Sequence, residues 1–188
     1  MLRKNKKIDN RKRIYILMGP SGSGKTTLGM KLREIGIPEL ISHSTRPMRK
    51  GEKHGDPYYF ITKSEFDMLE KIEQTCYAGN FYGLTRKEVE EKLQQYDKVY
   101  AITDKYGVEM LRKAYGEIVR VIFIYADTDT LKKRMLARGD RIEDVEKRIQ
   151  YLHKTNEFNN INIADFAIHN IDLEAAVQEL YNYVRRAN

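Results

Sequence analysis

The feature that most restricts what this chain can fold into is a short glycine-rich turn set between two patterned segments. Gly19-Pro20-Ser21-Gly22-Ser23-Gly24-Lys25-Thr26 follows the apolar run Ile14 to Met18 and precedes Leu28, Leu32 and Ile35 at helical spacing. The apolar run reads as a buried parallel strand and the later spacing as a helix, so the turn joins strand to helix. That context completes the pattern G-x-x-x-x-G-K-[ST]. Its glycines let backbone N–H groups converge on phosphate oxygens, Lys25 adds positive charge near a transferred group, and the Thr26 hydroxyl can ligate Mg²⁺. The reading is a binding loop for ATP or GTP.

Further strand candidates are Leu40 to Ser42, Val99 to Thr103, Val119 to Ala126 and Phe166 to His169, each separated by enough chain for a crossover helix. The expected fold is α/β, a phosphate-loop NTPase fold with a five-stranded parallel sheet flanked by helices. Two stretches interrupt the rhythm. One, about 42–85, mixes Gly, Pro and Tyr with a short β-like piece at Tyr58 to Thr62. It also holds a helix expected over Lys63 to Ile72, with Ser64 and Asp67 as its capping box, and Thr85 with Glu88 opens the next helix. The other, about 134–150, reads as a mobile basic loop around Gly139 and Asp140. The organisation expected is a basic flexible tail at 1–12, a core at 13–41 and 86–188, and the two interruptions as acceptor-binding insertion and lid.

The formal net charge of +7 raises nucleic acid as a partner, but residues 1–13 hold a net +6 of it, leaving +1 for the remainder. Nothing aromatic in that tail can stack on bases, so nucleic-acid binding is not expected. Cys76 is the single cysteine, which excludes an internal disulfide and a thiolate metal cluster; it reads as a small buried hydrophobe in a reducing compartment. No apolar run reaches the length of a membrane span, and a cytoplasmic protein, monomer or homodimer, is expected.

After the loop comes Ser42-His43-Ser44-Thr45-Arg46-Pro47-Met48-Arg49-Lys50-Gly51-Glu52, then Tyr58-Tyr59-Phe60. This stretch resembles guanylate kinases, whose T-R-x-x-R-x-G-E and following tyrosine strand grip the phosphate of GMP. The resemblance runs from about Arg13 to Val184 and implies transfer of the γ-phosphoryl of Mg·ATP to GMP, and to dGMP. It assigns Ser42, Arg46, Arg49, Tyr58, Glu73, Tyr82 and Asp104 to GMP. Arginines offer forked donors to a dianionic phosphate, and tyrosine hydroxyls add neutral hydrogen bonds. The Glu73 carboxylate accepts from guanine N1–H and the exocyclic amine together, where adenine presents a lone pair.

For ATP the resemblance implies Gly19, Pro20, Ser21, Gly22, Ser23, Gly24, Lys25, Thr26, Thr27, Arg134, Arg138 and Asn170, with Thr26 on Mg²⁺. Lys25, Arg46, Arg138 and Arg148 are the expected catalytic residues. Arg134, Arg138 and Lys147-Arg148-Ile149 match the family's lid pattern, one residue short between Arg138 and Arg148, and Arg141 is additional. No general base is needed, because a phosphate monoester has a second pKa of about 6; His43, His54, His153 and His169 are therefore expected to play no chemical part. Two positions depart from the family: Leu84 stands where a hydroxyl residue follows Tyr-Gly, and Ile102-Thr103-Asp104 lacks the first acid of D-x-D. They motivate an alternative, a related kinase with another phosphorylated acceptor. A non-catalytic binding module is a further alternative, against which Lys25, Thr26 and the lid arginines stand.

Overall fold

The computed structural model describes residues 9, 11–77 and 79–186. Most of the basic tail, expected to be flexible, lies outside the described residues; within them Arg11 pairs with Asp9, and Lys12 reaches Tyr96 O and the Asp97 carboxylate, both at 3.3 Å.

In chain order the elements are β1 (Arg13–Met18), α1 (Lys25–Glu34), β2 (His43–Ser44), β3 (Lys53–His54), β4 (Pro57–Phe60), α2 (Lys63–Met68), β5 (Lys71–Tyr77), β6 (Asn80–Thr85), α3 (Arg86–Gln95), β7 (Lys98–Ile102), α4 (Lys105–Tyr115), β8 (Val119–Tyr125), α5 (Thr128–Ala137), α6 (Ile142–Lys154), β9 (Phe166–His169) and α7 (Leu173–Arg186). A parallel sheet of order β7-β1-β8-β9 forms the core. Every residue of β1 is buried, because both faces are covered. Alternation sorts its side chains: Ile14, Ile16 and Met18 pack with Val89 and Leu93 of α3 and Val108 and Leu111 of α4, while Tyr15 and Leu17 pack with Leu28 and Leu32 of α1 and Leu180 and Val184 of α7.

The fifth sheet position is filled differently from the expected strand at Leu40 to Ser42. Residues 38–40 lie beside β7 through one parallel bridge, Leu40 N donating to Tyr100 O at 2.7 Å and Tyr100 N to Pro38 O at 2.9 Å. The ladder stops there because Pro38 has no N–H and the Ile41 N–H is taken by Glu88 Oε1 at 2.9 Å.

Residues 42–85 build a second, mixed sheet of order β3-β4-β2-β6-β5. Its β5–β6 pairing runs through a segment expected to begin as helix. The helix α2 ends at Met68, and its capping box is Thr62 with Glu65 rather than Ser64 with Asp67, since Thr62 is the last extended residue and Ser64 already lies inside the first turn. Thr85 caps α3 as expected, its hydroxyl accepting from Glu88 N at 3.2 Å. Cys76, expected to be buried, is exposed, because neither face of β5 is covered at Gln74, Thr75 and Cys76. The stretch 134–148, expected as a loop, is mostly helical: Arg134 lies in α5 and Arg148 in α6, joined by Arg138 to Arg141. Among the described residues no helix is long and apolar enough to cross a membrane.

Candidate active site

The phosphate loop is held by backbone geometry. Gly19, Gly22 and Gly24 have φ of +148°, +83° and +99°, conformations side chains disfavour. At Gly19 the constraint is also spatial: a Cβ there would sit 1.9 Å from Ile124 O of β8. The loop therefore rests directly on the neighbouring strand. Asn170, after β9, is 2% exposed and donates through Nδ2 to Ser23 O at 2.7 Å, packed against Gly24. The structure thus puts Asn170 beneath the loop, where it fixes the loop's path.

Lys25 Nζ donates to Gly19 O at 2.6 Å and Pro20 O at 2.9 Å. Burial pulls its pKa down to about 8, opposed by the nearby Glu157 carboxylate and assisted by Arg138. A cavity of about 410 Å³ opens above the loop, lined by Gly19, Ser21, Lys25, Arg148, Tyr151 and Glu157 among others. The Glu157 carboxyl, which sequence reasoning did not single out, has its pKa raised by burial and like charge from Asp104 but lowered by Lys25. Thr26 and Thr27 are exposed in the first turn of α1. Arg134 Nη2 donates to Ile171 O at 3.2 Å. Arg138 and Arg148 meet at one carboxylate, Asp140, which accepts from Arg138 Nε and Nη2 at 2.9 and 2.6 Å and from Arg148 Nη1 at 3.1 Å.

The small sheet carries the second cluster. Arg46, just after β2, is 8% exposed and lies over the rings of Tyr58 and Phe60, 5.4 and 5.1 Å from their centroids. Glu52 holds it bidentately, Nη2 to Oε1 at 2.6 Å and Nη1 to Oε2 at 2.7 Å, while Arg49 N donates to Glu52 Oε2 at 2.7 Å. These donors lower the Glu52 pKa to about 2. Glu52 is thus the residue that orients Arg46, a part its place in the G-E dipeptide did not reveal. The Arg49 side chain is exposed, and Ser42 is half-buried with its carbonyl accepting from Tyr59 N. Tyr58 and Tyr82 meet edge to face at 5.5 Å across β4 and β6.

Glu73 sits on β5 just past an irregularity between Lys71 and Glu73, opposite Leu84. Such a bulge re-aims side chains: Ile72 enters the main core while Glu73 is half-buried beside the cleft. Desolvation, then the Asp104 charge, raises the Glu73 pKa to about 7, against a hydrogen bond from the Leu84 backbone. Asp104 itself caps α4 through Oδ1, accepting from Gly107 N at 3.0 Å. Its charge is felt by both Glu73 and Glu157, so it lies between the small sheet and the phosphate loop. The two departing positions are apolar packing: Leu84 is 2% exposed in the main core, and Ile102 packs against the α1–α7 side.

Comparison with known proteins fits this arrangement. The family model described as guanylate kinase matches residues 11–187. A guanylate kinase of Synechococcus sp. (strain JA-3-3Ab) is 38% identical over 178 residues, 90% of this chain and 81% of that protein. One of Legionella pneumophila (strain Paris) is 36% identical, covering 94% of this chain and 87% of that one. The crystal structure of guanylate kinase from Anaplasma phagocytophilum superposes with a TM-score of 0.72 at 28% identity, over 95% of this chain and 87% of that one. A backbone-built phosphate loop, an oriented arginine among tyrosines, and matches of this extent lead to one statement: the chain belongs to the guanylate kinase family.

Proposed function

We propose that this chain transfers the γ-phosphoryl group of Mg·ATP to GMP, yielding ADP and GDP, and accepts dGMP as well. The observation that carries the reading is the presence, on one small sheet, of a clamped guanidinium, Arg46, and a desolvated carboxyl, Glu73. One suits a phosphate dianion and the other a base edge with two donors. In this reading ATP lies on Gly19 to Thr27 with Arg134 and Arg138, and Asn170 acts by fixing Ser23. GMP lies among Ser42, Arg46, Arg49, Tyr58, Glu73 and Tyr82, with Asp104 between the sites. Residues 42–85 are then the acceptor insertion and 134–150 the lid.

The acceptor phosphate is already ionised near neutral pH, so no residue need remove a proton. Charge and position supply the rate. The ammonium of Lys25 exchanges the carbonyls of Gly19 and Pro20 for phosphate oxygens, and Arg138 and Arg148 add positive charge from α5 and α6. Among the described residues no cluster of three or more His, Cys, Asp or Glu side chains forms a metal cage. The exposed Thr26 hydroxyl, next to Lys25 in the first turn of α1, is a donor that fits Mg²⁺ carried in by the nucleotide, because Mg²⁺ keeps several waters and takes one or two protein ligands beside substrate phosphates. Thr26 would be its protein ligand, and the ion would neutralise phosphate charge during transfer.

Coupled measurement of ADP release over GMP, dGMP, AMP, UMP and a sugar phosphate tests the reading. GMP should give the highest kcat/KM. Turnover of AMP, UMP or the sugar phosphate with none on GMP would overturn it in favour of a related kinase with another acceptor.

A further inference from the structure

The link between α5 and α6 contains a carboxylate that the phosphoryl-transfer reading does not use. Arg138 closes α5, Gly139 turns the chain at φ +94°, and Arg141 opens α6. Gly139 N donates to Leu136 O at 2.9 Å and Asp140 N to Met135 O at 3.1 Å, so the backbone at Asp140 is tied to the end of α5. Its side chain is therefore carried at a defined point between the helices. Asp140 is 21% exposed in its side chain, against 49% and 42% for Arg138 and Arg148, so the acid is the enclosed member of the trio.

The donors used are informative. Arg138 commits Nε and Nη2 to Asp140, a forked contact, while Arg148 commits Nη1. A guanidinium has five N–H donors in a rigid plane. Each arginine keeps donors in reserve, and Arg148 lines the cavity above Lys25. A carboxylate that grips one edge of a planar group fixes the direction of the other edge.

We infer that Asp140 is a positioning residue: its carboxylate gathers Arg138 and Arg148 behind the phosphate cavity, leaving their unused N–H groups for the transferring phosphoryl. The arrangement has a second benefit. Two like charges brought together without a counter-ion repel, and Asp140 removes that cost before nucleotide arrives. The inference rests on the reading of Arg138 and Arg148 as phosphoryl-transfer arginines.

The test compares the 188-residue chain with D140N and D140E. Asp140→Asn should lower kcat about tenfold with KM for ATP changed less than twofold and an unchanged melting temperature, and Asp140→Glu should restore most of kcat. A D140N enzyme with wild-type kcat would overturn the inference, as would one with raised kcat and lowered KM for ATP, which would make Asp140 a competitor of phosphate. A second readout needs no acceptor: in the nucleotide-free protein the Arg138 Nε–H should exchange slowly with water, and faster in D140N. Equal exchange in both would also overturn the inference. Failure of the GMP reading shows elsewhere, as a wild-type chain without turnover on GMP.

Discussion

The two halves of the site are made from different materials. Around residues 19–24 the chain builds an anion cradle out of main chain, with left-handed glycines, a strand carbonyl at Ile124 and a buried amide at Asn170 setting its shape. In the proposed reading the small sheet builds its cradle out of side chains, Arg46 held by Glu52 and flanked by Tyr58, with Glu73 re-aimed by an irregular strand. A cradle of main chain tolerates almost no change at its glycines, whereas one of side chains loses function in graded steps.

The largest effect expected is at Lys25, in the main-chain half. Lys25→Ala should reduce turnover on the order of 10³-fold or more while the melting temperature holds, since the lost interaction is strongest in the transition state. Steady-state kinetics beside a thermal melt checks it, and a small kinetic loss would mean that the loop only binds.

Paired glycine variants test the contrast itself. Gly19→Ala places a methyl against Ile124 O and should cost about 3 kcal/mol of stability and abolish nucleotide binding, whereas Gly51→Ala, in open space at φ +92°, should cost about 1 kcal/mol. Denaturant titration of both gives the difference, and equal losses would break the comparison.

On the side-chain half, Glu52→Gln should raise KM for GMP about tenfold with a smaller change in kcat, because Arg46 loses its ionic partner but keeps its rings. The most gradual effect is with pH. Glu73 must be ionised to accept from guanine, and its pKa is raised to about 7, so GMP binding should tighten as pH rises toward 7 and level off above it. Below that value, affinity should fall by up to about tenfold per unit from this group. The phosphate ionisation of GMP acts in the same direction, so the contribution of Glu73 is the part of the slope that vanishes in Glu73→Gln. Stability runs the other way: a carboxyl whose folded pKa is raised favours the fold where it is protonated, and that favour is lost as pH climbs from its ordinary value near 4.5 to about 7.

What was legible in the chain follows the same division. The strand, loop and helix from Ile14 to Ile35 could be read because phosphate binding by main chain demands glycine at fixed spacing, and buried parallel strands are continuous apolar runs. The β5–β6 pair could not. Glu73, Gln74 and Thr75 show no apolar alternation, and the residues before them carry a helical pattern that ends early at Met68. Glu73 is a candidate through resemblance alone. Glu52 and Asp140 were visible as letters, yet their partners are set by how loops fold back, which spacing does not disclose. Asn170 was associated with ATP, and its burial beneath Ser23 emerges only when β9 is laid beside β8.

Glu88 supplies one more consequence. Its carboxylate accepts from Ile41 N, where the chain leaves the core, and from Tyr59 Oη at 3.3 Å inside the small sheet, while its own helix starts where the chain returns. Departure and re-entry are thereby riveted at a single carboxylate, which ties the seating of the appended sheet to the register of the parallel scaffold.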